Sequence, residues 1–125
     1  MMQPAIDRRS RGRLGEQLVA QKLQAEGFTI DAYNFANSYG EIDLIARKDN
    51  LLLFIEVKLR TNSNVDPAEL ILASKQKKIV TVAKFFLSMH TEHQDMICRF
   101  DVALVEYSNG NPIIQYIPNA FDSID

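Results

Sequence analysis

The segment over residues 40–60 constrains the fold of this chain most strongly. Two β-rich runs flank Asp49-Asn50, a dipeptide that tolerates the positive φ of a tight turn. The second run begins with five apolar residues in succession at 51–55, a pattern typical of a buried strand. Glu-Val-Lys follows directly. The segment therefore predicts a β-hairpin in which a core strand ends in charged side chains.

The register of this hairpin decides which side chains meet. If residues 49–50 form a two-residue turn, Asp43 lies opposite Glu56. A four-residue loop keeps this register, whereas a three-residue loop would move Asp43 out of line. Strand alternation then places Asp43, Glu56 and Lys58 on one face of the hairpin. The opposite face is predicted to be apolar, with Ile42, Leu44, Ile55 and Val57.

Two facing carboxylates on such a hairpin need an explanation. At ~5 Å their repulsion is roughly 3 kcal/mol for an effective dielectric constant of about 20, but under ~1 kcal/mol in water. Lys58 would offset part of this repulsion, and a divalent cation such as Mg²⁺ would offset more of it. The alternative is a solvated strand face that carries ordinary charges. The residues alone leave both interpretations open.

The whole chain predicts a single α/β domain. Its 125 residues suit one domain. Periodicity and turn signals indicate the order α-β-β-β-α-β-β, a mixed β-sheet flanked by helices. The predicted helices span 11–26 and 67–89, and the predicted strands span 28–35, 41–48, 51–60, 97–107 and 112–117. We expect a flexible Arg-rich arm over 1–10, one domain over 11–118 and a C-terminal tail over 119–125.

Composition and charge limit the class of protein and the partners that the chain can have. The single cysteine excludes an internal disulfide, and the longest apolar run is far too short to span a membrane. With no secretory signal pattern at the start, we expect a cytoplasmic, soluble protein with no membrane partner. The net charge is −2, but the basic residues are clustered near residues 8–13 and 75–84. These clusters predict either a nucleic-acid-binding face or solvated helix surfaces.

Five motifs occur in order along the chain. They are Gly-Arg-Leu-Gly-Glu at 12–16, Gly-Glu-Ile-Asp-Leu-Ile-Ala at 40–46, Phe-Ile-Glu-Val-Lys-Leu-Arg at 54–60, Lys-Gln at 75–76 and Arg-Phe-Asp-Val at 99–102. Together they resemble the YraN family of small bacterial proteins, within the PD-(D/E)xK superfamily of Holliday-junction-resolvase-like nucleases. Ile42 stands where the superfamily pattern nominally has proline. The resemblance implies a restriction-endonuclease-like fold.

The resemblance also implies roles for the hairpin residues. Asp43 and Glu56 would bind Mg²⁺ or Mn²⁺, with the carbonyl of Val57 as a third ligand. Lys58 would orient or activate the attacking water and offset charge on the phosphate. A metal ion in this position would lower the pKa of the water and stabilise the transition state.

Residues outside the hairpin are predicted to complete the site. Glu16, on the first helix, would add an acid facing the metal; the alternative is an ordinary solvent-facing residue. Gln76 lies within the apolar stripe of the long helix, between Leu72 and Ile79. It would contact the phosphate or the water, or else lie at the edge of the stripe. The residues predicted to bind nucleic acid are Arg11, Arg13, Arg60, Lys75, Lys77 and Lys78.

We therefore expect a metal-dependent endonuclease that hydrolyses DNA phosphodiester bonds, with branched DNA among its substrates. Because resolvases cut two strands symmetrically, we also expect a homodimer. Two alternatives retain the fold without catalysis: a nucleic-acid-binding module and a protein-interaction scaffold. The intact set of Asp43, Glu56 and Lys58 argues against a pure binder, which has no need for a repulsive acid pair.

Overall fold

The computed structural model describes residues 8–60, 71–108 and 110–122, with the side chains of 8–11 and 108 outside the description. Its main elements are α1 (Arg8–Ala25), β1 (Thr29–Asn37), β2 (Gly40–Lys48), β3 (Leu51–Leu59), α2 (Ala73–Met89), β4 (Ile97–Ser108) and β5 (Asn111–Phe121), with a short 3₁₀ turn at Thr91–His93. The five strands form one sheet in the order β1-β2-β3-β4-β5. Among the strands that the structure describes, only β3 and β4 pair in parallel, so the predicted α/β class, mixed sheet and element order are confirmed.

The two helices cover opposite faces of the sheet. The α1 face buries Val19, Ala20 and Leu23 of the helix against the sheet residues Leu44, Ala46, Leu53, Ile55, Ala103 and Val105. The α2 face buries Ile79, Val80, Val82, Ala83 and Phe86 against Ile42, Ile45, Leu52, Phe54 and Phe100. Because neighbouring residues of β3 alternate between these two clusters, the central strand is buried on both sides.

The predicted hairpin register is confirmed. Lys48 pairs with Leu51, and the ladder continues to the pair Leu44–Ile55. Asp49 adopts the left-handed conformation, with φ of 54°, as the turn dipeptide predicted.

The predicted apolar face of the hairpin is confirmed for Leu44, Ile55 and Val57, which pack on the α1 face, but it is wrong for Ile42. Ile42 packs on the α2 face, whereas Leu44, only two residues later, packs on the α1 face. Strand alternation is therefore interrupted at Asp43. Across from it on β1, Asn34 has φ of 51° and lies between the pairs Tyr33–Leu44 and Phe35–Ile42. A left-handed residue in a strand twists the backbone locally, which lets both strands change faces at the same point.

Several predicted boundaries are also corrected. Helix α2 begins at Ala73, not at residue 67, since Leu72 is extended, with ψ of 149°. The extended backbone at Leu72 lets Ile71 pack on the sheet beside Val102. Residues 61–70 lie outside the described part. Strand β5 runs to Phe121, so residues 119–121, predicted to be tail, belong to the sheet, and α1 extends back to Arg8.

A buried carboxylate holds the irregular pairing of β4 and β5. The ladder shifts between Phe100 and Val102, and Asp101 lies within the shift, fully buried. The Asp101 carboxylate accepts two hydrogen bonds from Arg99, at 2.9 and 3.0 Å, one from the Tyr116 hydroxyl, and one from the Asn119 backbone at 2.8 Å. The ion pair predicted between Arg99 and Asp101 is confirmed. Within the described ranges, no helix combines the length and apolarity needed to cross a bilayer.

Candidate active site

Strands β2 and β3 separate beyond the pair Leu44–Ile55, and the candidate site begins there. The backbone N–H of Val57 donates to the Asp43 carboxylate at 2.8 Å, where a strand carbonyl would ordinarily accept. Asp43 is therefore held between the strands rather than on one face. Glu56 has the same orientation as Leu52 and Phe54, towards α2, and is only 6% exposed. The two acids are adjacent, as predicted, although they do not share a regular strand face.

The Asp43 carboxyl is strongly perturbed. Burial, followed by the negative charge of Glu56, raises its pKa to about 8, although the hydrogen bond from Val57 acts in the opposite direction. A hydrogen bond with the Glu56 carboxyl contributes to the same shift. Asp43 therefore retains its proton near neutral pH, beside the Glu56 carboxyl. A cation bound at this position would favour the loss of that proton.

Two lysines flank the acid pair. The Nζ atom of Lys75 lies 2.5 Å from Oε1 of Glu56, so Lys75 points into the site from the first turn of α2. Desolvation acts to lower the pKa of Lys75, but the hydrogen bond and charge of Glu56 outweigh it and raise that pKa. Burial, followed by the charge of Lys75, lowers the pKa of Lys58. The sequence predicted Lys75 only as a contact for nucleic acid; the structure places it beside Glu56, and binding of nucleic acid by Lys75 stays a prediction.

Glu16 reaches the edge of the site from α1. The helix lies against β3 and β4 here, since a Cβ atom at Gly15 would be in ordinary van der Waals contact with Val105 and Leu59, at 3.5–3.7 Å. Oε2 of Glu16 accepts a hydrogen bond of 3.0 Å from the Asn34 amide. Burial raises the pKa of Glu16, the Asn34 bond lowers it, and the nearby negative charges, first that of Glu41, raise it further.

The donor set suits a hard cation that keeps water ligands. In the part of the chain that the structure covers, no three His, Cys, Asp or Glu side chains form one metal-ligating group. A metal ion would therefore rest on Asp43 and Glu56, with main-chain oxygen and water for the rest, as Mg²⁺ commonly does. The assignments of Glu16 and of the Val57 carbonyl as ligands stay predictions.

Gln76 makes a hydrogen bond that the sequence did not predict. The Nε2 amide of Gln76 donates a hydrogen bond of 3.0 Å to the backbone carbonyl of Ile71. This bond links the first turn of α2 to the backbone that precedes the helix. Leu72, one of the two residues that defined the stripe around Gln76, is 71% exposed and lies outside the helix. A contact between Gln76 and phosphate stays a prediction.

The remaining basic residues are spread around the site. Arg13, Lys77 and Lys78 are exposed, whereas Arg60 donates to Gln115 of β5 at 2.8 Å. The side chain of Arg11 lies outside the described part. Nucleic-acid binding by these residues stays a prediction.

Comparison with known proteins places the chain in a family. The sequence model of "Uncharacterised protein family UPF0102" matches residues 15–105, which include the acid pair and both lysines. The chain belongs to this family. A UPF0102 protein of Synechococcus sp. (strain JA-3-3Ab) is 37% identical over 107 residues, covering 84% of this chain and 82% of that protein. One of Nostoc sp. is 38% identical over 130 residues, covering 89% and 93%. The resemblance to the YraN-like family is thus confirmed.

Sequence reasoning missed Asn34, which twists β1 opposite Asp43 and anchors Glu16. An available signal was an asparagine inside a β-rich run, because asparagine favours the left-handed conformation more than most residues. The approach of Lys75 to Glu56 had no comparable signal, since it depends on where α2 begins.

Proposed function

We propose that the chain is a metal-dependent phosphodiester hydrolase that acts on nucleic acid, specifically DNA. The observation that carries this proposal is the pair of adjoining, largely buried carboxyls of Asp43 and Glu56. Buried acids of like charge destabilise a fold, so a purely structural role would favour apolar residues in this position. Destabilising charge of this kind is typical of functional sites.

The residues fit a Mg²⁺ or Mn²⁺ ion. Bound by Asp43 and Glu56, such an ion would supply charge stabilisation for the phosphate and lower the pKa of a water molecule. Asp43 is already oriented by the Val57 N–H, so its carboxylate needs little rearrangement to become a ligand. A metal ion bound to Asp43 would replace the proton that the raised pKa of its carboxyl retains near neutral pH.

The lysines take complementary roles in this proposal. Burial and the charge of Lys75 lower the pKa of Lys58, which favours the release of its proton. In this proposal Lys58 would orient or activate the attacking water. Lys75 contacts Glu56 in the structure, and if Glu56 instead held a metal ion, the Lys75 ammonium group would be available to contact a substrate phosphate. Lys77, Lys78 and Arg13 would bind the flanking backbone.

Calorimetric titration with Mn²⁺ tests the metal site without a choice of substrate. We expect the wild type to bind, Asp43→Asn and Glu56→Gln to lose binding, and the exposed control Asp95→Asn to bind as the wild type does. Mg²⁺-dependent cleavage of labelled linear and branched DNA follows, with Lys58→Met expected to retain Mn²⁺ binding and lose cleavage. Equal Mn²⁺ binding by all four proteins of the titration would refute the site.

A second candidate is a nucleic-acid-binding module without catalysis. The contact between Lys75 and Glu56 favours it, because an internal cation already offsets one of the two acids. This candidate predicts DNA binding that weakens with salt, together with no Mn²⁺ binding at Asp43 and Glu56. The expected homodimer belongs with the nuclease proposal, and gel filtration of the purified protein tests it.

A further inference from the structure

A cleft opens between the start of α1 and strand β1. Its volume is about 340 Å³, and its lining residues are Arg13, Glu16, Gln17, Tyr33 and Asn34. An adjoining hollow shares Arg13, Glu16 and Asn34 and extends to Glu41. Glu16 relates the cleft to the acid pair, because it lines the cleft and the charges of Glu41 and Glu56 both act on its carboxyl.

Tyr33 forms the aromatic wall of this cleft. It pairs with Leu44 on the α1 face of the sheet, yet it is 50% exposed. A core tyrosine would instead bury its ring, since an aromatic side chain contributes mainly through buried area. The exposed ring is therefore available to a flat ligand.

The wall beside Tyr33 is held in place. Asn34 has φ of 51°, and its amide is bonded to Glu16 at 3.0 Å. These two constraints fix the backbone next to Tyr33. Stacking of a ligand on the ring therefore costs the protein little conformational entropy. Gln17 adds a side-chain amide and Arg13 adds the positive charge at the rim.

We propose that this cleft binds an unpaired nucleobase, with Tyr33 as its stacking surface and Arg13 on the neighbouring phosphate. An aromatic face with amides and a cation is a combination that single-stranded nucleic-acid sites use. The Glu16 carboxyl, which accepts a hydrogen bond from the Asn34 amide, lines the same cleft and can accept a hydrogen bond from a base. A base that remains paired in a duplex cannot enter such a cleft until it leaves the stack. The inference rests on the proposed function and narrows its substrate to single-stranded or locally unpaired nucleic acid.

Fluorescence anisotropy tests this proposal. The probes are a labelled strand of about 12 nucleotides and the same strand in a duplex, with Ca²⁺ present so that oxygen ligands are occupied. We expect the wild type to bind the single strand more tightly than the duplex. Tyr33→Ala should weaken single-strand binding roughly 5- to 100-fold, whereas Tyr33→Phe should retain it. Tyr39→Ala, at a 62% exposed tyrosine that does not line the cleft, is the matched control.

The outcomes separate the cleft from the metal site. Loss in Tyr33→Ala alone supports the proposal. Equal binding by Tyr33→Ala and the wild type overturns it, as do a preference for duplex and an absence of binding to either probe. Mn²⁺ titration of the wild type and Tyr33→Ala is run in parallel. If both proteins bind Mn²⁺ but the cleft proposal is overturned, the proposed metal site stands without the proposed nucleobase site.

Discussion

Substitution of Asp43 by asparagine should stabilise the folded protein, increasingly so as pH rises. Asparagine has the same shape, and its carbonyl oxygen can still accept the 2.8 Å hydrogen bond from Val57. What disappears is an acid whose pKa in the folded state is about 8, against 3.8 as the reference value. Since the folded state binds the extra proton between these values, wild-type stability falls as pH rises from about 4 to about 8.

The magnitude follows from the difference in pKa. Each pH unit in this window costs the wild type about 1.4 kcal/mol at most, so the penalty at pH 7 is at most about 4 kcal/mol. Relaxation and water entry around the pair reduce it, and we expect Asp43→Asn to gain roughly 2–4 kcal/mol at pH 7. Against a total stability of about 5–15 kcal/mol for a domain, this is a large effect.

Urea denaturation in the presence of EDTA measures this difference in the free energy of unfolding between Asp43→Asn and the wild type. The stability difference between Asp43→Asn and the wild type should widen by about 1–3 kcal/mol between pH 5 and pH 7. Asp95→Asn changes an exposed aspartate in the same way, so its difference from the wild type should stay flat. Parallel curves for Asp43→Asn and the wild type would show that Asp43 is already ionised in the folded protein over this range, which would refute its raised pKa.

Three further results are expected. In calorimetry, Lys75→Gln should bind Mn²⁺ roughly 3- to 10-fold more tightly than the wild type, because the substitution removes the cation that lies 2.5 Å from Glu56. The control Lys77→Gln, at an exposed lysine, should bind Mn²⁺ as the wild type does, and weaker binding by Lys75→Gln would contradict the prediction. Titrations in buffers of different ionisation enthalpy should show release of about one proton per Mn²⁺ at pH 7 and almost none well above the pKa of Asp43; no release at pH 7 would speak against displacement of a proton. Asp101→Asn should lower stability to urea by about 2–4 kcal/mol, since it breaks a buried, fourfold hydrogen-bonded carboxylate, and an unchanged midpoint would count against that role.

Local chemistry carried the hairpin prediction. The dipeptide at 49–50 favours a two-residue turn, and a turn of that length sets the register of the whole hairpin. The proximity of Asp43 and Glu56 follows from that register. The element order was equally accessible, because helical and strand periodicities are properties of short windows.

The detailed shape of the site depends on contacts that a short window does not contain. Asp43 lies between the strands because Asn34, on a different strand, twists the sheet opposite it. Lys75 enters the site because Ile71 packs on the sheet and so delays the start of α2.

The amino-acid sequence alone was thus sufficient for the order of elements, the hairpin register and the identity of the acid pair. Each of these depends on interactions between residues close in the chain. Three features depend on burial and on charges from α1, β1 and α2. They are the raised pKa of Asp43, the contact between Lys75 and Glu56, and the cleft that Tyr33 lines. Such effects arise only when distant segments pack together, because desolvation and Coulomb interactions act through space rather than along the chain.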